Sequence, residues 1–236
     1  MEASSYVTLS RQAGLMNEMR IVANNIANAA TTGFRQQGVM FSEFIRTAPE
    51  QPSLSMSRAQ VRDTSFAQGA LTQTNGSFDF AIEGEGFFQI QTPAGPRLTR
   101  SGRFSPNAAG DLVTPEGYPV LDEGGAPVFV PAGTQIAVAA DGTLSADGQP
   151  LGRIGLFQPA DPLDLVREDG VRFQTGAAIP AGEARMLQGF VERSNTDPVL
   201  QVARMIEVQR AYELGQSFLD AEDQRIRDAV KTLIRT

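Results

Sequence analysis

The sequence predicts an α+β fold in which long N- and C-terminal helices form a coiled-coil-like core domain and a central all-β domain of short hairpins lies between them. Three observations carry this. Residues 3–30 and 199–236 contain no proline and one glycine each, Gly14 and Gly215. In both stretches apolar residues recur at alternating spacings of three and four, the mark of a helix with one apolar stripe. Between Phe66 and about Gly189, by contrast, glycine and proline come every few residues, as in a domain of hairpins.

The N-terminal stripe runs Leu9, Met16, Met19, Ala23 and Ile26, with Gln12 as an interruption. Thr31-Thr32-Gly33 ends the helix, Gly33 supplying the left-handed conformation that helix C-termini often need. Asn195-Thr196-Asp197-Pro198 is a start signal for the C-terminal helix, a capping side chain followed by proline in the first turn. Its stripe runs Val202, Met205, Gln209, Tyr212, Gln216, Leu219, Asp223, Ile226, Val230 and Leu233. One alternating position is apolar and the other carries Gln209, Gln216 and Asp223, which is too polar for an isolated two-stranded coil. It suits a helix shared among several neighbours. At ~1.5 Å per residue the two helices reach roughly 40 and 55 Å, more than one small β domain covers, so helix-on-helix packing is expected.

Turn pairs in the middle fall at Asn75-Gly76, Asp141-Gly142 and Asp147-Gly148. Short β-type runs lie among them, including Phe87–Ile90, Pro127–Val130, Gln135–Val138 and Arg153–Phe157. Thr47 to Arg62, with Pro49, Pro52 and several serines, reads as an irregular connector. The expected organisation is a discontinuous helical domain over 1–35 and 190–236, a connector over 36–65 and a β domain over 66–189.

Composition excludes most catalytic machinery. There is no His, Cys or Trp, and Lys231 is the only lysine. A Ser-His-Asp triad, a cysteine nucleophile, a Cys/His zinc site and a phosphate-binding Walker loop are therefore ruled out. No calcium-type Asp run appears, so no metal, cofactor or catalytic residue is expected. The net charge of −7 argues against a nucleic-acid partner. No apolar stretch approaches the ~20 residues that span a bilayer, so membrane insertion is not expected. Met-Glu-Ala-Ser-Ser lacks the basic-then-apolar pattern of a secretory signal, leaving cytoplasmic retention or export without a cleaved signal.

Four motifs compete for a functional reading. Ile82-Glu83-Gly84-Glu85-Gly86-Phe87-Phe88 places two carboxylates among glycines, as glycosidase chemistry does at a set separation. Its structural reading is a tight bend delivering two phenylalanines to a β core. Asn75-Gly76-Ser77 has glycosylation spacing and reads as a type I′ turn. Thr99-Arg100-Ser101-Gly102-Arg103 reads as a solvated hairpin end, the alternative being contact with an acidic partner. In Ala23-Asn24-Asn25-Ile26-Ala27-Asn28, three asparagines in five positions weaken a helix. They are either caps of a fraying end or amides that bond to adjacent chains.

At this last run the chain resembles the bacterial flagellar rod and hook proteins. Ala23–Asn28 with Thr32-Gly33-Phe34-Arg35 is similar to their N-terminal signature. Asp79–Phe88, Thr99–Phe104 and Gly110–Leu121 are similar to their central blocks, and Glu192–Asn195 and Met205–Glu213 to their C-terminal one. Thr196 departs from the small apolar residue that many members carry. The opening Tyr6–Gln12 and the modest length look most like proximal rod subunits, with distal rod subunits the close rival; hook proteins are usually longer. Asp122 to Gly182 contains no block of this kind.

The resemblance implies a non-enzymatic subunit of the basal-body rod, exported by the flagellar type III apparatus without a cleaved signal and spanning the periplasm. Its partners would be copies of itself, other rod subunits and the export apparatus. Terminal helices would stack into an inner tube and the β domain into an outer layer, transmitting torque and lining an export channel. The expected assembly interface comprises Leu9, Met16, Met19, Asn24, Asn25, Ile26, Asn28, Phe34, Val202, Met205, Ile206, Tyr212, Leu219 and Ile226. The alternative from a different class is a carboxylate enzyme or carbohydrate-binding β domain with helical oligomerisation ends.

Overall fold

The computed structural model describes residues 2–46 and 54–234 and has the α+β architecture expected. Helix α1 spans Glu2–Ala27 and helix α2 spans Pro198–Ile234, with strands between them. The chain divides into two compact units. One holds α1, the residues around a hairpin (36–65) and α2; the other holds Asn28–Arg35 and Phe66–Asn195.

In the helical unit, α2 begins where the sequence signals it. Asp197 Oδ1 accepts from the backbone N–H groups of Val199 (2.9 Å) and Leu200 (3.2 Å), and Pro198 is the first helical residue. These are donors that a helix start leaves unpaired. Gly33 does have positive φ (71°), but it lies six residues beyond the end of α1. Its role is close approach rather than capping. A Cβ there would stand 2.3 Å from the Ser101 backbone nitrogen, so only glycine fits.

The two helices run antiparallel, since contacts advance along α1 as they recede along α2. Gln12 Nε2 donates to Gln216 Oε1 (3.4 Å), Glu18 pairs with Arg204 (2.6 Å), and Asn25 Nδ2 donates to Gln201 Oε1 (3.1 Å). The buried face of α1 is Gln12, Leu15, Glu18, Ile21, Val22 and Asn25. The stripe read from the sequence lies on another face: Leu9 and Met16 are exposed, and Met19 and Ile26 are half-buried. In α2 the half-buried column Met205, Tyr212 and Leu219 is the expected one. Its companion is Gln201, Val208, Gly215 and Glu222, one residue earlier than the expected Val202, Gln209, Gln216 and Asp223, all of which are exposed. Polar residues accepted into the seam by hydrogen bonding shift its register.

Residues 37–46 and 54–64 form strands rather than the irregular connector read in the sequence. Strand β1 (Gln37–Arg46) pairs antiparallel with β2 (Leu54–Thr64), and both lie along α1. Of the expected connector, 47–53 lie outside the described residues. The β hairpin escapes detection because serines and charged residues fill its alternate positions. Asn25 fixes its base. Asn25 Nδ2 donates to the Gln37 carbonyl (2.7 Å), and its Oδ1 accepts from the Gln37 N–H (2.9 Å), so one side chain substitutes for a neighbouring strand.

The second unit is built on a six-stranded antiparallel sheet. Its strand order is Val166–Asp169, Arg172–Gln174, Gly95–Thr99, Phe87–Thr92, Leu156–Pro159, Ala178–Pro180. Glu83-Gly84-Glu85-Gly86 makes the expected bend, with φ of 92° at Gly84 and 152° at Gly86. Successive strand residues face opposite sides, so the two phenylalanines feed two cores. Phe88 joins Phe80, Ile90 and Phe104 in the larger one, and Phe87 joins Leu98, Phe157 and Phe173. Asp147-Gly148 forms a two-residue turn with both φ values positive, 49° and 80°. Asn75-Gly76 does not form the expected type I′ turn. Only Asn75 has positive φ (59°), and its backbone N–H donates to the Gly189 carbonyl instead. Pro127–Val130 makes only isolated bridges.

Two substitutions test the helical unit. Asp197→Ala removes the α2 cap and lowers stability by about 1 kcal/mol in denaturant unfolding followed by circular dichroism. Asn25→Ala leaves both Gln37 backbone groups without this partner and costs about 1–3 kcal/mol in the same assay.

Candidate assembly interface

Large apolar side chains left in solvent mark surfaces that other chains can cover. Among the described residues sixteen such side chains are exposed, and ten of them lie on α1 and α2: Leu9, Met16, Val199, Leu200, Val202, Ile206, Leu214, Phe218, Ile226 and Val230. Among the described residues the helices therefore carry most of the exposed large apolar side chains. Val199, Val202 and Ile206 follow helical spacing, as do Leu214 with Phe218 and Ile226 with Val230. Leu9, Met16, Val202, Ile226 and Val230 were legible as stripe residues, and Ile206 only through the resemblance; Val199, Leu200, Leu214 and Phe218 were not, because they lie off the heptad. Between the helices a groove of about 380 Å³ opens beside Leu15, Leu214, Gly215 and Phe218. Gly215 makes room for Gln12, whose side chain an added Cβ would meet at 3.3 Å.

The remaining expected contact residues separate by environment. Asn24 is exposed and Asn28 half-buried, with its Oδ1 accepting from Thr31 Oγ1 (3.2 Å). Asn25 is 1% exposed, and its hydrogen bonds to Gln37 and Gln201 stay within the chain. Phe34 is wholly buried in the β unit.

Beside Phe34 lies a cluster of charges inside the β unit. Glu192, 1% exposed, pairs with Arg35 (2.6 Å) through Oε1 and with Arg100 (2.8 Å) through Oε2. Its Oε1 also accepts from the Gly69 backbone N–H (2.8 Å). Arg100, expected at a solvated hairpin end, is instead 2% exposed. Its guanidinium donates to the carbonyls of Gly84 (3.0 Å), Gly86 (2.6 Å) and Ile82 (3.3 Å). The glycine bend thus turns its carbonyls onto a buried cation. Burial draws the Arg35 and Arg100 guanidiniums below the usual arginine range, with Glu192 opposing. Arg167 lies over the rings of Phe173 (4.7 Å) and Phe34 (5.0 Å), and its Nη2 donates to the Arg35 carbonyl (2.7 Å). Burial, and secondarily Arg35, draws it down to about 10, so it remains charged at neutral pH.

A cleft of about 730 Å³ in the same unit is lined by Arg35, Phe66, Glu85, Phe87, Arg100 and Ile179, among others. Glu85 faces it, whereas Glu83 is at the end of a strand opposite Arg185. The two carboxylates do not converge on one cavity, as paired-carboxylate hydrolysis requires. Among the described residues no three acidic side chains come together as a metal site, and no helix is long and apolar enough to cross a membrane.

Comparison with known proteins agrees with this layout. Residues 6–35 match the family described as flagella basal body rod protein. Residues 81–146 match the flagellar hook protein FlgE/F/G D1 domain, and 187–232 the flagellar basal body rod FlgEFG protein C-terminal region. The chain is 41% identical to the flagellar basal-body rod protein FlgF of Caulobacter vibrioides, over 99% of this chain and 98% of that one. It is 40% identical to FlgF of Mesorhizobium japonicum over the same shares, and 29% identical to FlgG of Bacillus subtilis over 96% and 97%. With both helical ends and the β unit matched in order, the chain belongs to the flagellar basal-body rod protein family.

Proposed function

We propose that this chain is a structural subunit of the bacterial flagellar basal-body rod, in its proximal part, and acts without catalysis. The end-to-end similarity to three FlgF relatives at 34–41% identity carries this reading, against 29–32% for those named FlgG, although FlgF of Salmonella typhimurium stands at 29%. α1 and α2 form a coiled-coil-like core that stacks on neighbouring subunits, and the β unit forms an outer layer. The exposed apolar residues of both helices support this arrangement, with Leu9, Met16, Val202, Ile206 and Ile226 as direct contacts. Met19, Asn24, Ile26, Asn28, Met205, Tyr212 and Leu219 complete the surface. Asn25 and Phe34 hold the elements that present it.

Its partners are copies of this chain, other rod subunits and the flagellar export apparatus. Its place is the periplasm-spanning rod. The mechanism is mechanical, because many shared helix contacts resist shear while the tube they enclose leaves a channel. The polar seam of Gln12, Glu18, Asn25 and Gln201 makes the isolated helix pair weak, and neighbours stabilise it by mass action.

Mass spectrometry of purified basal bodies tests the placement. The chain is expected there in fewer copies than the distal rod protein. Abundance equal to the distal subunit would favour a distal role, and absence would sink the rod reading. Leu9→Glu and Ile206→Glu are expected to shift monomer stability by no more than about 0.5 kcal/mol, as surface substitutions do, yet to block incorporation into basal bodies. Normal incorporation of both variants would refute the helix-face contacts.

A further inference from the structure

Residues 28–35 follow α1 and make no strand pairing. They are held on the β unit by a few attachments. Gly33 N–H donates to the Glu192 carbonyl (2.8 Å), and the Phe34 carbonyl accepts from Asn195 N–H (3.3 Å). Arg35 pairs with the Glu192 carboxylate (2.6 Å). Arg167 adds its contacts with the Phe34 ring and the Arg35 carbonyl. Most of these converge on residues 192–195, far along the chain.

We infer that residues 28–35 form a strap that opens and closes as a unit on the β unit, with Glu192 as its clasp. The two arginines are supported unequally. Arg100 has three backbone carbonyls besides the carboxylate, whereas Arg35, 3% exposed, has Ala67 O and Glu192. Closing the strap without Glu192 buries a cation with no counter-charge, which is strongly unfavourable. Opening it, by contrast, returns Arg35 to water and leaves Glu192 still bonded to Arg100 and to Gly69 N–H. The open state therefore strands no charge; its cost is exposure of the buried Phe34 ring, which lies outside the hydrophobic clusters around Phe88 and Phe87. One consequence is an order of events. The N-terminal strap docks only after the strand Phe190–Glu192 has paired with Leu71–Gln73 and placed the carboxylate.

Hydrogen exchange on the full-length chain tests this, comparing the Gly33 amide with the Val120 amide, which donates to Leu112 O in the core. Glu192→Gln is expected to cut Gly33 protection about a hundredfold or more, with matching acceleration of tryptic cleavage after Arg35. Val120 protection stays at its wild-type level. Arg35→Ala, which keeps the Arg100–Glu192 pair and removes a strap attachment together with the cation to be desolvated, lowers Gly33 protection less than Glu192→Gln does and decides the question if Glu192→Gln does not fold. Wild-type protection of Gly33 in Arg35→Ala overturns the inference. So does loss of Gly33 and Val120 protection together, because the strap would then not be a separate unit.

Discussion

Removing an arginine from water costs several kcal/mol unless a negative charge and enough acceptors replace the solvent, and the β unit removes two of them around a single carboxylate. Glu192 meets that constraint by giving one oxygen to Arg35 and the other to Arg100. Much of the local architecture follows. The Gly84 and Gly86 carbonyls bond Arg100 from a bend with positive φ at both glycines, and strand alternation beyond that bend sends Phe87 and Phe88 into separate cores. Gly69 must approach closely enough for its N–H to reach the same carboxylate, and a Cβ there would collide with the Arg193 carbonyl at 2.0 Å.

The helical unit is built on the opposite economy. Its seam accepts Gln12, Glu18, Asn25 and Gln201 by hydrogen bonding rather than excluding them, while Leu9, Ile206, Leu214 and Phe218 stay in solvent. A β unit that pairs Arg35 and Arg100 with its own Glu192 and a helix pair that leaves apolar side chains in solvent divide the work of a rod subunit. The exposed apolar side chains give the second a reason to associate.

Several readings survived because they rest on local geometry. The Asp197-Pro198 start, the Asp147-Gly148 turn and the Gly84–Gly86 bend each depend on residues adjacent in sequence, whose backbone preferences hold wherever the segment lies. The errors share another cause. Gln12 was read as an interruption and is part of the seam, and Arg100 was read as solvated and is among the most buried charges. Whether a polar side chain is buried depends on a partner supplied from elsewhere in the chain, here Gln216 and Glu192, and nothing local announces it. Asn75 likewise takes its conformation from Gly189, not from Gly76.

By itself the sequence determined the α+β class, the two long helices, the absence of His and Cys chemistry and the family resemblance, because composition, periodicity and turn residues act over a few positions. Only the tertiary structure decided which helix face meets the other helix, that Gln37–Arg46 and Leu54–Thr64 pair as strands anchored by Asn25, and that Arg35, Arg100 and Glu192 meet. Each of these is a contact between distant segments. Its free energy depends on the desolvation and hydrogen bonding of both partners together, a property that neither segment carries alone.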